Sequence, residues 1–352
     1  MAAQFLTGDM DPLTPMNKLY EITLLSHEHT KTTECITTAR ALLQEDIVWV
    51  EERLKEIVKV GVSPATEVAS YLLESGGKWI RPIALLLSMA CFGPIDKKAR
   101  ELAVVVELVH LATLLHDDVV DEGQERRGRL VARRIWGNAV SVLAGDLLLT
   151  HALERTHAVG YSVVLQDLIG TLRQLVDGEV IQLNGRTRTI NEEEYFQVIR
   201  QKTASLFAWA ARAGAYAGKA SQNAVNALGD YGFHLGVAFQ LIDDVLDYVG
   251  DPKMMGKLVH ADLCEGKQTL PLILLMKQSP KLEQEMIRAR EGNEQAIFNL
   301  IEGVNTSGVC HTIRFYALEE TKKAIDSLEA IPSSPSRDLL ASVAHDLGAR
   351  LP

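Results

Sequence analysis

The chain has 352 residues, 47% of them hydrophobic, which is ample for a large core. Its net charge of −10 excludes general nucleic-acid binding, because phosphate backbones need a basic face. An acidic chain that handles phosphates must do so through metals and a few placed cations.

Residues 1–34 are weakly patterned and read as a loose tail or a docking helix, and residues 35–352 are expected to form one all-α domain. Helical periodicity begins at Thr37 to Val60, with Ile47, Leu54 and Ile57 on one face. Ser63 is placed to cap a helix that starts near Pro64 and stops at Gly76-Gly77. Pro82 opens Ile83 to Cys91, and a long helix follows from Lys97 to Val120. Val131 to Trp136, Ser141 to His157 and Val163 to Val180 come next, then Glu192 to Ala217 with Asn191 as N-cap, and Ser221 to Tyr248. Shorter helices are expected at Leu270 to Met276, Pro280 to Arg290, Asn293 to Ile301, Thr306 to Ala330 and Ser336 to Ala349. No strand alternation is visible. Cys35, Cys91, Cys264 and Cys310 form no C-x-x-C pair and lie far apart, which argues against a zinc site, and they read as reduced thiols of an intracellular chain. No apolar run is long and clean enough for a membrane span, since the closest, Leu102 to Leu115, carries Glu107 and His110. Asp9, Asp11 and Glu21 argue against a transit peptide, so a cytoplasmic location is expected, or an organellar one where a leader has been removed.

Two acidic segments stand out. Asp117, Asp118 and Asp121 form D-D-x-x-D at the end of an apolar helix, and Asp243, Asp244 and Asp247 repeat the pattern. At roughly 6 Å and an effective dielectric near 20, two carboxylates repel by about 3 kcal/mol, so such a cluster needs something positive. Glu107, His110, Leu114, Asp117 and Asp121 step by three or four residues and share one file, as a cavity-lining helix would. Gly236, Gln240, Asp243 or Asp244, and Asp247 repeat this geometry. One D-D-x-x-D alone reads equally well as a solvated helix end. Two copies with matching apolar approaches favour hard oxygen ligands for Mg²⁺ that bridges to phosphates. Cations gather nearby in sequence: Lys78 and Arg81 after a glycine pair, Arg126 and Arg127 after the first triplet, Lys202 beside Thr203, and Lys257 and Lys267 after the second triplet. No nucleophile motif is present.

GGKWIRP (76–82), HDDVVDEGQERRG (116–128), QKT (201–203), FQLIDDVLD (239–247) and DLCEGKQTLP (262–271) together resemble the trans-prenyltransferases, the isoprenyl diphosphate synthases of the polyprenyl type, over residues 40–350. That resemblance implies the isoprenoid synthase fold, a bundle of ten or more mostly antiparallel helices around a deep cavity, usually as a homodimer. It implies about three Mg²⁺, with Mn²⁺ as a substitute, held by Asp117, Asp121 and Asp243 and supported by Asp118, Asp244 and Asp247. Arg126, Lys202, Lys257 and Lys267 would hold the allylic diphosphate (geranyl, farnesyl or geranylgeranyl). Lys78, Arg81, His110 and Arg127 would hold isopentenyl diphosphate, and Thr203 and Gln240 would line the reacting centre. Trp79, Leu258 and His260 depart from the family pattern near the diphosphate contacts.

In the family, bulky residues just before the first triplet stop short chains. Here those positions are Thr113 and Ala112, and Val109 below them is aliphatic. Each further helical turn adds roughly 5 Å of depth, so an all-trans product of about C25 to C50 is expected. The alternatives are a geranylgeranyl diphosphate synthase and a non-catalytic subunit of a heteromeric synthase. Product length separates the first, and activity of the purified chain the second.

Overall fold

A computed structural model of the chain describes residues 37–249, 263 and 266–349. After a helical turn at 37–42, α1 (Gln44–Ile57) buries Ile47, Val50, Leu54 and Ile57, one face at three- and four-residue steps. α2 (Ala65–Glu74) starts after Pro64 and has no side-chain cap, because the Ser63 hydroxyl donates to the Glu67 carboxylate instead. α3 (Ile80–Ala90) is buried almost all round, and Trp79 precedes it in the left-handed region at φ 58°. α4 (Lys97–Val120) is capped by Asp96, which accepts from the Ala99 N–H at 2.9 Å. No strand was expected in the Arg-rich segment after it. It is a tight hairpin, in which β1 (Glu125–Arg126) pairs antiparallel with β2 (Arg129–Leu130), with Arg127 at φ 53° and Gly128 at φ 72° making the reversal.

α5 (Ala132–Trp136) leads into α6 (Asn138–Val159) and α7 (Ser162–Gly185), both longer than their apolar spacing suggested. α8 (Glu192–Ile199) opens with Asn191 as the expected N-cap, and Glu194 returns the contact to complete a capping box. The helix expected to continue to Ala217 does not do so evenly. A π-helical turn at Arg200–Ala204 interrupts it before α9 (Ser205–Ala217). α10 (Gln222–Val249) packs on α9 and on the later α14. The chain closes with α11 (Leu270–Gln278), α12 (Glu283–Arg290), α13 (Glu294–Thr306), α14 (Val309–Ser327) and α15 (Pro335–Gly348).

Two apolar clusters form the interior. The larger gathers α1–α4, α6, α7, α9 and α15 around Trp209, Phe207 and Tyr231, and the smaller gathers α8 and α11–α14. α10 belongs to both: Leu228, Tyr231 and Leu235 enter the first, and Leu241, Ile242 and Val245 the second. Among the described residues no helix is long and apolar enough to cross a membrane.

Close approach of α9 to α10 depends on glycine. A Cβ on Gly232 would lie 2.4 Å from the Phe207 carbonyl oxygen, which is backbone and has no easy retreat. Gly232→Ala should destabilise the chain by about 1–3 kcal/mol in urea unfolding. Gly170→Ala on α7, where nothing lies within 4 Å, should be neutral or slightly stabilising. Equal losses at the two sites would contradict this packing.

Candidate active site

At the seam between the two clusters lies a cavity of about 1420 Å³. α4 supplies one wall with the expected file, His110, Leu114, Asp117 and Asp121, with Asp118 alongside. α10 supplies Phe239, Gln240, Asp243 and Asp244 opposite. Of the other expected residues, Lys78, Arg81, Arg126, Arg127, Lys202, Thr203, Lys267 and Thr113 all line it as well. Asp247 does not: it is fully buried, three residues beyond Asp244. Ala112 and Val109 are likewise fully buried and are not part of the lining. Lys257, Leu258 and His260 lie outside the described residues.

Each aspartate of the first triplet meets a cation from another element. Asp118 Oδ1 accepts from Arg126 Nη2 at 2.9 Å and from Nε at 3.2 Å, across the hairpin. Asp117 Oδ2 faces Lys202 Nζ at 3.4 Å, on the π turn. Asp121 Oδ2 faces Lys267 Nζ at 2.6 Å, and its Oδ1 takes an Arg186 N–H. Burial pushes the Asp121 carboxyl up, but Lys267, Lys202 and Arg186 outweigh it and hold the group below the usual range. At Asp118 burial wins over Arg126, and the carboxyl is raised. Lys202 also contacts Glu179 and donates to Gln182 Oε1 at 2.7 Å. Burial opposes its charge, yet Asp117 and Glu179 raise its pKa.

Three local devices aim these groups. The π turn adds one residue to a helical turn, which turns Lys202 and Thr203 toward the cavity. Gly178 on α7 lets that turn approach, since a Cβ there would lie 2.8 Å from the Lys202 backbone nitrogen. On α10 a hydrogen-bonded chain fixes the second triplet. Thr203 Oγ1 donates to Gln240 Oε1 at 2.8 Å, Gln240 Nε2 donates to Asp244 Oδ1 at 2.7 Å, and Tyr195 Oη donates to Asp244 Oδ2 at 2.7 Å.

A second group of basic residues lines the same cavity. Arg81 stacks over the Phe207 ring, 4.5 Å from its centroid, and its buried Nε has no hydrogen-bond partner. Burial lowers Arg81 to about 10, still charged at neutral pH. Arg127 donates to the Ser75 carbonyl at 3.2 Å. His110 is held well below its ordinary value by burial and by Arg81, Arg126 and Arg127, so its imidazole is neutral. Glu107 sits among these groups, and burial pushes it up to about 7 against the pull of Arg81 and Arg127. Such an arrangement suits a polyanion: cations at two stations, hard carboxylate oxygens between them, and an apolar wall of Leu111, Leu114, Leu149, Leu172, Leu175 and Val176 beyond.

Several lining residues had no role in the sequence reading: Glu179, Gln182, Arg186 and Tyr195. On α7, Leu172, Leu175, Glu179, Gln182 and Arg186 step by three or four residues, the same signature as on α4. The file carries single residues of different types and no repeated motif, so it passes for an ordinary amphipathic face. Among the described residues, no three His, Cys, Asp or Glu side chains are already gathered closely enough to hold a metal ion. The aspartate oxygens are engaged by cations instead, and their chemistry still fits a divalent ion.

The family model described as Polyprenyl synthetase matches residues 63–304. Octaprenyl diphosphate synthase of Escherichia coli (strain K12) is 38% identical over 308 residues, which are 86% of this chain and 95% of that protein. The all-trans-nonaprenyl-diphosphate synthase (geranyl-diphosphate specific) of Rhodobacter capsulatus is 35% identical over 308 residues, covering 86% and 94%. The crystal structure of polyprenyl synthase from Caulobacter crescentus CB15, complexed with calcium and isoprenyl diphosphate, superposes with a TM-score of 0.85 at 34% identity, covering 90% of this chain and 98% of that one.

Glu107 gives the cavity a pH signature. Its folded pKa of about 7 lies above its ordinary 4.5, so the folded chain binds the proton more tightly. The resulting penalty is absent below pH 4.5, grows as the unfolded carboxyl ionises, and levels off above about pH 7, at about 3 kcal/mol. Glu107→Gln should therefore be more stable than wild type in urea at pH 8 and equal to it at pH 4. Parallel stability curves across that range would refute the assignment.

Proposed function

The chain belongs to the polyprenyl synthetase family of prenyl-transferring enzymes, and on that premise we propose that its cavity condenses isopentenyl diphosphate with an allylic diphosphate. The carrying observation is that described residues from all five sequence motifs, from Lys78 to Lys267, line one cavity. Names of similar proteins support the occupants: one is a synthase crystallised with calcium and isoprenyl diphosphate, and others are octaprenyl and nonaprenyl synthases.

Asp117, Asp118, Asp121, Asp243 and Asp244 are the residues that would hold about three Mg²⁺. When bound, these ions neutralise charge that develops on the departing diphosphate. Lys202, Lys267 and Arg126 add fixed positive charge at the same mouth and stabilise that leaving group as the allylic C–O bond ionises. Lys78, Arg81 and Arg127 hold the second diphosphate, with neutral His110 as a hydrogen-bonding neighbour. The hydrogen-bonded Thr203–Gln240 pair lines the reacting centre. The double bond of isopentenyl diphosphate attacks the carbocation, and the departing diphosphate accepts the proton that is lost. No side-chain nucleophile takes part. The wall of Leu111, Leu114, Leu172 and Leu175 excludes water and receives the tail. Thr113 rather than a ring at this wall leaves space for growth, which supports a product of about C25 to C50.

A second copy of the chain is proposed as partner. Leu143 on α6 and Ile169, Val176, Val180 and Leu183 on α7 are 44–61% exposed, an apolar stripe that a homodimer would cover. A cytoplasmic location goes with this reading.

Incubating the purified chain with Mg²⁺, isopentenyl diphosphate and geranyl, farnesyl or geranylgeranyl diphosphate should give products longer than geranylgeranyl, and chelation should abolish them. Products ending at farnesyl or geranylgeranyl length would overturn the long-chain reading, and a chain inert alone would favour a subunit role. Asp117→Asn and Asp243→Asn should each lower kcat/KM by about 10²–10³-fold. Thr113→Phe should shift the product distribution to shorter chains, and unchanged chromatograms would place the floor elsewhere.

A further inference from the structure

Arg186 is an unassigned cation at the centre of the site. It lies at the C-terminal end of α7, its side chain is 18% exposed, and it lines the cavity. Its Nη1 donates to the Val120 carbonyl at 3.1 Å, an exposed end of the α4 hydrogen-bond ladder where positive charge is favoured. Its Nη2 donates to Asp121 Oδ1. Its Nε is buried with no hydrogen-bond partner, so part of the fork is unspent. Lys267 takes the other Asp121 oxygen, which leaves both oxygens of that carboxylate occupied by protein cations. The loop that carries Arg186 is itself held in place, because Gln268 Nε2 donates to the Gly185 carbonyl at 2.7 Å.

We infer that Arg186 is a positioning residue that acts as the resident counter-cation of Asp121: it occupies Oδ1 until a divalent ion displaces it, and then offers its freed N–H groups to the diphosphate. The inference rests on the functional reading above. Its anchor on Val120 keeps the guanidinium beside the mouth after displacement, so one side chain serves two consecutive states. Arg186 thus opposes metal uptake by the free chain and favours it once an anion is present. Loading then becomes cooperative between cation and diphosphate.

The test is Mn²⁺ binding to the full chain, followed by electron paramagnetic resonance, with and without inorganic pyrophosphate. A charge-assisted hydrogen bond shifts an equilibrium by roughly tenfold. In Arg186→Gln, Mn²⁺ alone should bind about tenfold more tightly and pyrophosphate in the presence of Mn²⁺ more weakly, which removes the cooperativity seen in wild type. Arg186→Lys keeps the charge but cannot bridge Val120 and Asp121 together, so it should show the same change in reduced size, and it decides the matter should the glutamine variant fail to fold. Mn²⁺ affinities that match wild type in the folded variant would overturn the inference and leave Arg186 as a tie between two helix ends. A wild-type chain that takes up no Mn²⁺ even with pyrophosphate would instead overturn the functional reading beneath it.

Discussion

The structure depends on mutual repulsion among carboxylates at the end of an apolar helix. Asp117, Asp118 and Asp121 cannot share the end of α4 without neutralisation, and all three line the cavity. Each finds its counter-charge on a different element: the hairpin with Arg126, the π turn with Lys202, the end of α7 with Arg186, and the segment before α11 with Lys267. Electrostatic necessity therefore draws four distant parts of the chain to one place. The cations that offset the acidic cluster line the same cavity as the aspartates, and Arg126, Lys202 and Lys267 among them are the residues proposed to stabilise the departing diphosphate.

α10 provides the complementary constraint. Its first half packs into the larger apolar cluster and its second half into the smaller one, so the seam between them runs beside Gln240, Asp243 and Asp244. A cavity at such a seam needs no void in either core. Gly232 and Gly236 bring α10 against Phe207 and Ala204 with no side chain between, and Phe207 in turn carries Arg81 on its ring. The packing of a helix pair thus sets the position of a cation that is far in sequence from both aspartate motifs.

What could be read from the chain beforehand follows from periodicity. The files on α4 and α10 were legible because three- and four-residue steps of polar groups interrupt otherwise apolar helices. The N-cap at Asn191 was legible for a similar local reason. The π turn was not, because one surplus residue leaves composition and hydrophobicity unchanged while altering the hydrogen-bond ladder. Nor was the hairpin at Glu125–Leu130, whose strands are only two residues long. Arg186 escaped because a lone arginine beside a glycine looks like any solvated helix end, and only the fold brings it to Asp121. Asp247 is placed differently from its counterpart Asp121: the repeat of D-D-x-x-D is complete, yet its third member is fully buried and is not among the lining residues.

The π turn at Arg200–Ala204 also bears on how this chain can vary. One surplus residue rotates everything after it by about 100° around the helix axis. α8 ahead of it presents Tyr195 and Ile199 to the smaller core, and α9 behind it presents Phe207 and Trp209 to the larger one. A single-residue deletion anywhere between Arg200 and Ala204 would restore an ordinary helix and put those two allegiances out of phase. The identities of Lys202 and Thr203 matter to the cavity, but so does the length of the turn: this stretch should reject changes of count, which the loops at 186–191 and 218–221 have no comparable reason to do.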